Sequence, residues 1–456
     1  MDLKGKKVTV VGLGNSGINA ARLLTGAGAV TKVTDAGSSP NVISAAESLL
    51  DEGVLVEYGG HTKGFIEGSD LIVVSPGVED SSPPIRWALE NNIPIISEME
   101  LGYNFCKGRI IAITGTNGKS TVTSLTGEIL KAGGYDTVVC GNIGNSLCGE
   151  IKKISKDTWV VLEVSSFQLE RIEKFKPHIA VILNITDDHM DRYKRFEDYF
   201  NEKLKVFKNQ DKDDILILNR DASNLPPLEK RTRSKVLYYS KYNATNGAYC
   251  KEGSVVCVKG GREIVIGREG DWNLKGLHNL ENILASSLAG MLAGVDEKAI
   301  GKTIKAFKGL SHRFETVAVI DGVEYIDDSK GTTVDSTLRA IESCDRPVIL
   351  IAGGKDKNSD YSVIKEPVRK AVKNMVLIGE ASDNIAASMG GMVNTTRAKT
   401  MEDAVKISHN LAKSGMIVLL SPMCSSFDMF KDYKDRGDVF KNAVLKLKDL
   451  SDHIKI

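Results

Sequence analysis

A short apolar run that ends in a glycine-rich turn constrains the fold of this chain more than any other stretch. The run Ile110–Thr114 is followed by Gly-Thr-Asn-Gly, and Lys119-Ser120-Thr121 then opens a helical pattern. This order places glycine amides and a helix N-terminus around one point, where a polyphosphate can bind. Lys119 would reach the β- and γ-phosphates, and the hydroxyl of Ser120 or Thr121 would hold Mg2+. The stretch predicts a shortened phosphate loop, and an ordinary strand–turn–helix connection is the alternative.

Composition limits the class of protein that can carry this loop. The chain has 456 residues, which suggests roughly three domains of about 150 residues each. Its formal net charge is +1, so no global field recruits nucleic acid or an anionic membrane. The seven cysteines are scattered without a C-x-x-C pair, as is typical of reduced thiols in the cytoplasm. No apolar run reaches the roughly 18 residues of a membrane span, so we expect a soluble cytoplasmic protein.

The N-terminal region contains a dinucleotide-binding fingerprint. A strand at Lys7–Val11 runs into the pattern G-x-G-x-x-G at Gly12–Gly17, a helical segment follows, and the next strand ends in Asp35. This arrangement predicts a tight turn facing a pyrophosphate and an acid near a ribose. NAD(P) and another nucleotide diphosphate, such as a UDP-sugar, are both compatible, and so are glycines that serve only packing. Ser75 ends a further buried strand at the sheet edge where ligands bind in such folds.

Two later positions in the predicted central domain are candidate metal ligands. Glu163 ends the strand beginning at Trp159, and a carboxylate there could bind the Mg2+ of a nucleotide triphosphate. Taken alone, it could equally be a solvated or helix-capping residue. Lys203 interrupts the apolar stripe of the helical segment Phe196–Phe207. It must snorkel to water, pair, or change its charge state. The functional alternative is a lysine neutral enough to react with CO2 and give a metal-binding carbamate.

The remainder of the central region predicts strands and one more nucleotide-facing helix. Residues 232–270 predict hairpins, with turns at Asn246-Gly247, Glu252-Gly253 and Gly260-Gly261. In the next helix, His278 and Asn282 lie four residues apart on one face, a spacing suited to contacting a nucleotide.

The C-terminal region again alternates strands with helices, which predicts a parallel sheet. After a linker at Gly309–Glu315, strand ends at 327–333, 353–357 and 421–428 carry small polar or cationic residues. Such groups suit an anionic amino-acid substrate, and plain turn chemistry is the alternative. We therefore predict an α/β fold of three domains with mostly parallel sheets. They are a Rossmann-like N-terminal domain (1–97), a central P-loop ATPase domain (98–309) and a Rossmann-like C-terminal domain (310–456).

The motifs together resemble the Mur ligase family, the ATP-dependent amide-bond synthetases of peptidoglycan precursor assembly, along nearly the whole chain. The resemblance rests on Thr114–Thr121, Glu163–Gln168, Asn184–His189, His278-Asn279 with Asn282, His312-Arg313 and Asp328–Lys330. Within the family, Gly12–Gly17 resembles the compact N-terminal domain of the first two ligases, which the later two lack. The string Ser421–Asp428, with Phe430, Tyr433 and Arg436-Gly437, is similar to the C-terminal string of the D-glutamate-adding members. The Asp-Asn-Pro-Arg sequence of the diaminopimelate-adding relatives is absent.

The resemblance implies a reaction and its small-molecule partners. The L-alanine carboxylate of UDP-N-acetylmuramoyl-L-alanine would be activated by ATP as an acyl phosphate and joined to D-glutamate, releasing ADP and phosphate. Two Mg2+ ions and a carbamylated Lys203 would assist this reaction. The protein would be a monomer whose C-terminal domain closes on its substrates. An L-alanine-adding or folylpolyglutamate-synthetase-like ligase is the nearest alternative. A nicotinamide-dependent dehydrogenase or a non-catalytic nucleotide-binding or motor protein would each leave one domain unexplained.

The resemblance also implies a role for each motif residue. ATP would contact Gly115, Thr116, Asn117, Gly118, Lys119, Ser120, Thr121, Asn282, Arg313 and Asp328. The UDP precursor would contact Gly14, Asn15, Ser16, Asp35, Ser75, Asn142, Ser165 and His189. D-glutamate would contact Lys330, Thr332, Lys357, Ser426, Phe427 and Tyr433. Metal ions would be held by Ser120, Glu163, His189 and the Lys203 carbamate, and Lys119, His189 and Lys203 would act in catalysis. Ala36-Gly37 follows Asp35 where some relatives have a threonine–arginine pair, so the resemblance does not assign the uracil or diphosphate contact in this region.

Overall fold

The computed structural model describes residues 1–190, 192–222, 224–274, 276–356 and 359–454, without the side chains of 450–454. The chain forms two compact units. The first unit comprises Met1–Asp271 and Glu281–Ala306, and the second comprises Trp272–Leu280 and Phe307–Ile456. The first unit contains two sheets and the second contains one.

The N-terminal sheet of the first unit is a five-stranded parallel sheet. Its strands are β1 (Lys7–Val11), β2 (Val30–Asp35), β3 (Leu55–Tyr58), β4 (Leu71–Val74) and β5 (Ile95–Ser97). The helices are α1 (Asn15–Gly26), α2 (Pro40–Asp51), α3 (Lys63–Ile66), α4 (Pro83–Glu90) and α5 (Glu98–Phe105). The strand order is β3-β2-β1-β4-β5, a doubly wound arrangement. The central strands β1 and β4 are buried along nearly their whole length because both faces of the sheet are covered.

The second sheet of the first unit has nine strands. These are β6 (Arg109–Thr114), β7 (Thr137–Gly141), β8 (Trp159–Glu163), β9 (Ile179–Ile182), β10 (Ile215–Asn219), β11 (Lys235–Ser240), β12 (Ala248–Lys251), β13 (Ser254–Lys259) and β14 (Arg262–Arg268). The helices are α6 (Lys119–Ala132), α7 (Leu147–Glu150), α8 (Ser166–Leu169), α9 (Phe196–Leu204), α10 (Leu277–Leu292) and α11 (Glu297–Ala306). The order is β14-β13-β12-β11-β10-β9-β6-β8-β7. The strands β6 and β8 are neighbours, so the phosphate loop and Glu163 follow adjacent strands at the same edge.

One predicted hairpin in this sheet is wrong. The antiparallel pairs β12–β13 and β13–β14 confirm the turns at 252–253 and 260–261. However, β11 and β12 are parallel, so Asn246-Gly247 is not a hairpin turn. The side chain of Asn246 instead bonds to the β11 backbone, accepting from Tyr238 N at 3.1 Å and donating to Val236 O at 3.2 Å. These bonds fold the connection back so that β12 starts beside the end of β11.

The second unit contains a six-stranded sheet. Its strands are β15 (Glu315–Ile320), β16 (Val323–Asp327), β17 (Val348–Gly353), β18 (Val372–Ile378), β19 (Asn394–Arg397) and β20 (Ile417–Leu420). The helices are α12 (Val334–Glu342), α13 (Lys365–Ala371), α14 (Ser382–Met389), α15 (Met401–Leu411) and α16 (Tyr433–Ile454). The order is β15-β16-β20-β17-β18-β19. Only the edge strand β15 is antiparallel to its neighbour among these described pairings.

The predicted fold class, α/β with mostly parallel sheets, is confirmed. Successive parallel strands and their intervening helices bring chemically useful loops to the carboxyl edge of each sheet. Within the described residues, no helix combines the length and the apolar character needed to cross a membrane.

Candidate active site

The phosphate loop runs from the end of β6 into α6 and bends at Gly118. Gly118 caps α6 in the left-handed backbone region, with φ of +84°. A Cβ atom at this position would lie 2.5 Å from Asn282 Oδ1 and 3.2 Å from Leu183 Cδ1. Only glycine fits this bend without strain. The predicted nucleotide-contacting residue Asn282 therefore lies directly against the phosphate loop.

A second asparagine holds the loop from the neighbouring strand end. Asn184 Oδ1 accepts a hydrogen bond from Asn117 N at 2.8 Å, and Asn184 Nδ2 donates to Asn117 O at 3.1 Å. The backbone of Asn184 accepts from Thr116 N at 2.8 Å. Three hydrogen bonds thus fix two consecutive loop residues, so the loop is organised before any nucleotide arrives.

The hydroxyl of Thr116 serves the loop rather than facing a ligand. It is buried, lies 3.1 Å from the Tyr199 hydroxyl and donates to Thr186 O at 3.0 Å. Thr116 was predicted to contact ATP. Its hydroxyl is engaged in these bonds, and its backbone N and O are engaged with Asn184 and Lys119.

Two lysines donate to the same loop carbonyl. Lys119 Nζ donates to Gly115 O and to Thr116 O, each at 2.8 Å. Lys203 Nζ donates to Gly115 O at 2.9 Å and lies 4.7 Å from the centroid of the Tyr199 ring. Lys203 is only 2% exposed, which excludes the interpretation that its ammonium snorkels to water.

The surroundings of Lys203 favour its neutral amine. Burial, followed by the charge of Lys119, lowers the pKa of Lys203 well below its ordinary value. The carboxylates of Asp188 and Glu163 act in the opposite direction and do not reverse the shift. A neutral amine has the free electron pair that a reaction with CO2 requires.

Glu163 offers an oxygen that fits a metal ion. It ends β8, is 1% exposed, and its Oε1 accepts from Asn142 Nδ2 at 2.8 Å. Within the described residues, its buried Oε2 has no hydrogen-bond partner. An unpaired buried carboxylate oxygen is costly unless a cation is bound. Mg2+ prefers oxygen ligands, and the buried hydroxyl of Ser120 in the first turn of α6 is of the same kind.

His189, in the loop after β9, has an uncommon backbone conformation. Its backbone has φ of +57°, and its Nε2 is 3.4 Å from Asp188 Oδ2. Its ring packs edge-on to Phe167, with centroids 4.7 Å apart. Positive φ at a non-glycine residue is uncommon and persists where surrounding contacts hold it. Asp188, which the sequence interpretation assigned no role, is a further oxygen donor near Lys203.

The N-terminal glycine loop is closely packed. A Cβ at Gly17 would overlap the carbonyl oxygen of Gly12. Asp35 accepts hydrogen bonds from Leu13 N at 2.6 Å and from Gly37 N at 2.7 Å. Its carboxylate therefore joins the glycine loop to the end of β2, in addition to any contact with a ribose. Ser75 Oγ is buried near the loop without a hydrogen-bond partner in the described chain.

An amide network connects this loop with the central sheet. Asn15 Nδ2 donates to Asn145 Oδ1 at 3.2 Å, and Asn19 Nδ2 donates to the same oxygen at 2.7 Å. Asn145 follows the loop that carries Asn142. Gly14 and Ser16 lie at the start of α1, the former as its N-cap. Ser165 caps α8 reciprocally with Gln168, so its hydroxyl is already engaged.

The second unit brings a separate group of predicted residues together. Lys330 Nζ lies 3.8 Å from the centroid of the Tyr433 ring. Asp328 accepts from Ser421 Oγ at 2.8 Å and from Phe314 N at 3.3 Å. Burial raises the pKa of Asp328 to about 7, against the opposing effects of the Ser421 hydrogen bond and the charge of Arg313.

The other predicted D-glutamate residues differ in exposure. Ser426 is buried, whereas Phe427 is 70% exposed. Thr332 is half-buried, with its backbone N donating to Lys330 O at 2.8 Å. Lys357 lies outside the described residues. His278, predicted to face a nucleotide, has its Nδ1 2.8 Å from Ser343 Oγ.

Sequence reasoning missed two residues that organise these groups. Asn184 holds the phosphate loop, and its only signal was its position at the end of a strand beside that loop. Arg436 is fully buried in the second unit and donates to Ser329, Cys424 and Ser425. Its signal was only the string Arg436-Gly437 near the C-terminus.

Comparisons with known proteins cover all three sheets. Residues 6–97 match the family described as Mur ligase MurD-like, N-terminal domain. Residues 113–290 match Mur ligase middle domain, and residues 312–424 match Mur ligase, glutamate ligase domain.

Full-length relatives carry one name. The chain is 44% identical over 448 residues to the UDP-N-acetylmuramoylalanine--D-glutamate ligase of Geotalea daltonii, covering 98% of this chain and 99% of the relative. It is 44% identical over 450 residues to the protein of that name from Koribacter versatilis, covering 98% and 99%.

Solved structures share the fold at low identity. The UDP-N-acetylmuramate-alanine ligase of Thermotoga maritima matches with a TM-score of 0.61 and 16% identity, over 97% of this chain and 100% of that one. A pseudomurein peptide ligase type C from Methanothermus fervidus matches with a TM-score of 0.62 and 17% identity, again over 97% and 100%.

Proposed function

The chain belongs to the Mur ligase family, and from this premise we propose that it is an ATP-dependent ligase that joins D-glutamate to UDP-N-acetylmuramoyl-L-alanine. The names of the full-length relatives support the choice of both substrates. The reaction would add one amino acid to a peptidoglycan precursor. A cytoplasmic location is part of the proposal, and the seven cysteines, all without a disulfide, support it.

The proposed reaction has two steps. An oxygen of the L-alanine carboxylate attacks the γ-phosphorus of ATP, a P–O bond to ADP breaks, and an acyl phosphate forms. The amine of D-glutamate, having lost a proton, then attacks the acyl carbon. The acyl C–O bond breaks, the nitrogen loses a further proton to water, an amide forms, and inorganic phosphate leaves with one of the two original carboxylate oxygens.

The phosphate loop is the proposed ATP site. The residues from Gly115 to Thr121 and the N-terminus of α6 would bind the polyphosphate. Within this loop, the backbone N–H groups of Thr116 and Asn117 donate to Asn184, which holds the loop in shape. Lys119 exchanges its carbonyl contacts for the β- and γ-phosphates and stabilises the charge that moves during transfer. Asn282 lies against the loop, and we assign Arg313 and Asp328 of the second unit to the nucleotide as well.

Glu163, Ser120 and His189 would be metal ligands, and two Mg2+ ions are proposed. When bound, Mg2+ neutralises phosphate charge and polarises the γ-phosphoryl group. The unpaired Oε2 of Glu163 supports the assignment, and Asn142 orients the carboxylate through Oε1.

Lys203 is proposed to act as a carbamate. Its neutral amine attacks the carbon of CO2, and the nitrogen loses one proton to water. The product places an anion that offers two oxygen atoms beside the Lys119 ammonium. The attraction between these opposite charges favours the carbamate, and its oxygen atoms suit metal binding.

The remaining substrates are assigned to two further groups of residues, one in the first unit and one in the second. The UDP precursor is proposed to lie along the glycine loop at Gly14, Asn15 and Ser16, with Asp35, Ser75, Asn142, Ser165 and His189. D-glutamate is proposed to bind Lys330, Thr332, Lys357, Ser426, Phe427 and Tyr433. An ammonium and hydroxyl groups suit its two carboxylates.

One observation carries the proposal: a buried lysine with a lowered pKa donates to the same phosphate-loop carbonyl as the loop lysine. A phosphate loop that only binds or hydrolyses nucleotide has no use for a second, buried amine at this point. A ligase that must hold a metal ion beside a carboxylate substrate can use that amine as a metal-binding carbamate.

Phosphate release from ATP tests the proposal. The protein would be given UDP-N-acetylmuramoyl-L-alanine with D-glutamate, L-glutamate, L-alanine or no amino acid. Release that needs both the UDP precursor and D-glutamate is the expected result. Release with a different amino acid would contradict the specificity, and release indifferent to any amino acid would contradict the ligase.

A further inference from the structure

Arg436 is a fully buried cation with no carboxylate partner in the part of the chain that is described. It lies in the first turn of α16, and its side chain has no exposed surface. Burial lowers its pKa to about 10, so the guanidinium remains charged near neutral pH. Removing such a charge from water is costly unless nearby groups compensate for it.

The donors of Arg436 are directed to backbone and hydroxyl oxygens. Nε donates to Ser329 Oγ at 3.0 Å, and Nη2 donates to Ser329 O at 2.8 Å. Nη1 donates to Cys424 O at 3.1 Å and to Ser425 O at 3.3 Å. These four acceptors are neutral, and the carboxylates of Asp428, Asp327 and Asp328 act on the guanidinium through space, opposing the effect of burial on its pKa. The guanidinium remains a buried positive charge beside these loops.

The bonded loops are those at the carboxyl ends of neighbouring strands. Ser329 follows β16 and stands between Asp328 and Lys330. Cys424 and Ser425 follow β20 and precede Ser426. A third loop, after β17, touches the same group, because a Cβ at Gly354 would lie 3.1 Å from Nη1. The strands β16, β20 and β17 are consecutive in the sheet, so one guanidinium bonds to two adjacent loops and packs against the third.

We propose that Arg436 is a positioning residue that sets the specificity of the second unit for an acidic amino acid. The inference rests on the proposed function, which assigns D-glutamate to these loops. By fixing the carbonyls of Ser329, Cys424 and Ser425, Arg436 orients the residues that follow them toward the substrate. Its positive charge also favours an acidic amino acid, which carries two carboxylates, over a neutral one.

Lysine and glutamine separate the two parts of this role. Lysine retains the charge but has one donor nitrogen in place of the planar fork, whereas glutamine retains polarity without the charge. Arg346 provides a matched control. It lies before β17, at the opposite end of the strands, and pairs with Glu324 and Asp345.

The experiment measures KM for D-glutamate, ATP and the UDP precursor by phosphate release in the full-length protein. We expect Arg436→Gln to raise the KM for D-glutamate about 10-fold or more, and Arg436→Lys to raise it less. The KM values for ATP and the UDP precursor stay near those of the wild type in both variants. Arg346→Gln is expected to leave all three KM values unchanged.

The outcomes distinguish this inference from the proposed function. Wild-type protein without D-glutamate-dependent release would overturn the proposed function. Wild-type protein with that release, together with an unchanged KM for D-glutamate in Arg436→Gln, would overturn only the role of Arg436. An equal rise in all three KM values would also overturn it, because a merely structural residue would act that way.

A second variant keeps the test decisive if Arg436→Gln does not fold. Ser329→Ala removes the hydroxyl that accepts from Nε while leaving Arg436 in place. We expect a rise of about 3-fold in the KM for D-glutamate alone, as for one hydrogen bond. An unchanged value in a folded Ser329→Ala protein, checked by circular dichroism, would overturn the inference.

Discussion

Lys203 in the first unit and Arg436 in the second are both buried basic side chains, and their surroundings have different effects on their charge. Lys203 shares the Gly115 carbonyl with Lys119, and burial beside that second cation lowers its pKa well below the usual range. Arg436 distributes its donors over three residues and keeps its charge at neutral pH.

The difference follows from the two functional groups. The ammonium of lysine can release a proton and become a nucleophilic amine. A buried lysine beside a second cation therefore favours the reactive form. A guanidinium does not deprotonate at neutral pH, and its planar fork suits the fixing of several acceptors at once. The buried lysine of the first unit is therefore suited to react with CO2. The buried arginine of the second unit is suited to fixing backbone oxygens and supplying a positive charge.

The largest expected effect belongs to Lys203. We predict that Lys203→Ala lowers the rate of phosphate release by about 10³-fold or more, because the carbamate oxygens are lost near the metal. Added short carboxylates should partly restore the rate by supplying such an oxygen. Full activity in Lys203→Ala would give the residue a purely structural role. Equal stimulation of Arg436→Gln by the same carboxylates would contradict the different roles assigned to Lys203 and Arg436.

Glu163 is predicted to have the next largest effect. Glu163→Gln keeps the shape but removes the charge from the unpaired buried oxygen. We expect kcat to fall about 100-fold and the Mg2+ concentration for half-maximal rate to rise. Titration with Mg2+ measures both. Glu202→Gln is the control, since Glu202 pairs with Lys205 on the same helix as Lys203; an equal loss there would refute a specific metal role for Glu163.

Asn184 should have a smaller effect that falls on nucleotide binding. Asn184→Ala removes two side-chain hydrogen bonds to Asn117 and loosens the loop. We predict a rise of about 10-fold in the KM for ATP, with the KM for D-glutamate unchanged. Asn209→Ala, which removes comparable bonds to Glu173 O and Phe175 O elsewhere in the unit, should change neither value. A rise in both KM values would contradict the local role of Asn184.

Much of this organisation was predictable from local sequence. The strand–loop–helix at residues 110–121, the glycine loop after β1 and the parallel sheets all follow from periodicity and short motifs. Lys203 was identifiable because a charged residue inside an apolar stripe conflicts with its surroundings. Such conflicts mark functional sites more often than ordinary surface positions.

The remainder depends on contacts that span long stretches of chain. Asn184 meets Asn117 across 67 residues, and Arg436 meets Ser329 across 107. No local pattern encodes either pair. The parallel pairing of β11 and β12 was missed for a similar reason, because Asn246-Gly247 has the composition of a hairpin turn while its side chain bonds back to β11.

The smallest predicted effect concerns stability and its dependence on pH. Between the lowered folded-state pKa of Lys203 and its unfolded value, the unfolded chain binds more protons than the folded one. The free energy of unfolding of the wild type therefore rises with pH in that window. In CO2-free buffer we expect Lys203→Met to be more stable than wild type by roughly 1 kcal/mol at pH 7, with the advantage shrinking as pH approaches 10.

Urea unfolding at several pH values measures this difference. Arg436→Met serves as the contrast: it should be destabilised at every pH in this range, because it leaves the Ser329, Cys424 and Ser425 oxygens without their donor. A Lys203→Met advantage that grows with pH would contradict the assignment of a neutral amine.

The most direct test of the proposed ligase follows one oxygen atom. UDP-N-acetylmuramoyl-L-alanine labelled with 18O in the alanine carboxylate would be converted with ATP and D-glutamate, and the released phosphate analysed by mass spectrometry. Activation as an acyl phosphate predicts one labelled oxygen in each inorganic phosphate formed, and an extended nucleotide that carries D-glutamate. Phosphate without label would contradict the acyl phosphate and with it the central claim for this chain.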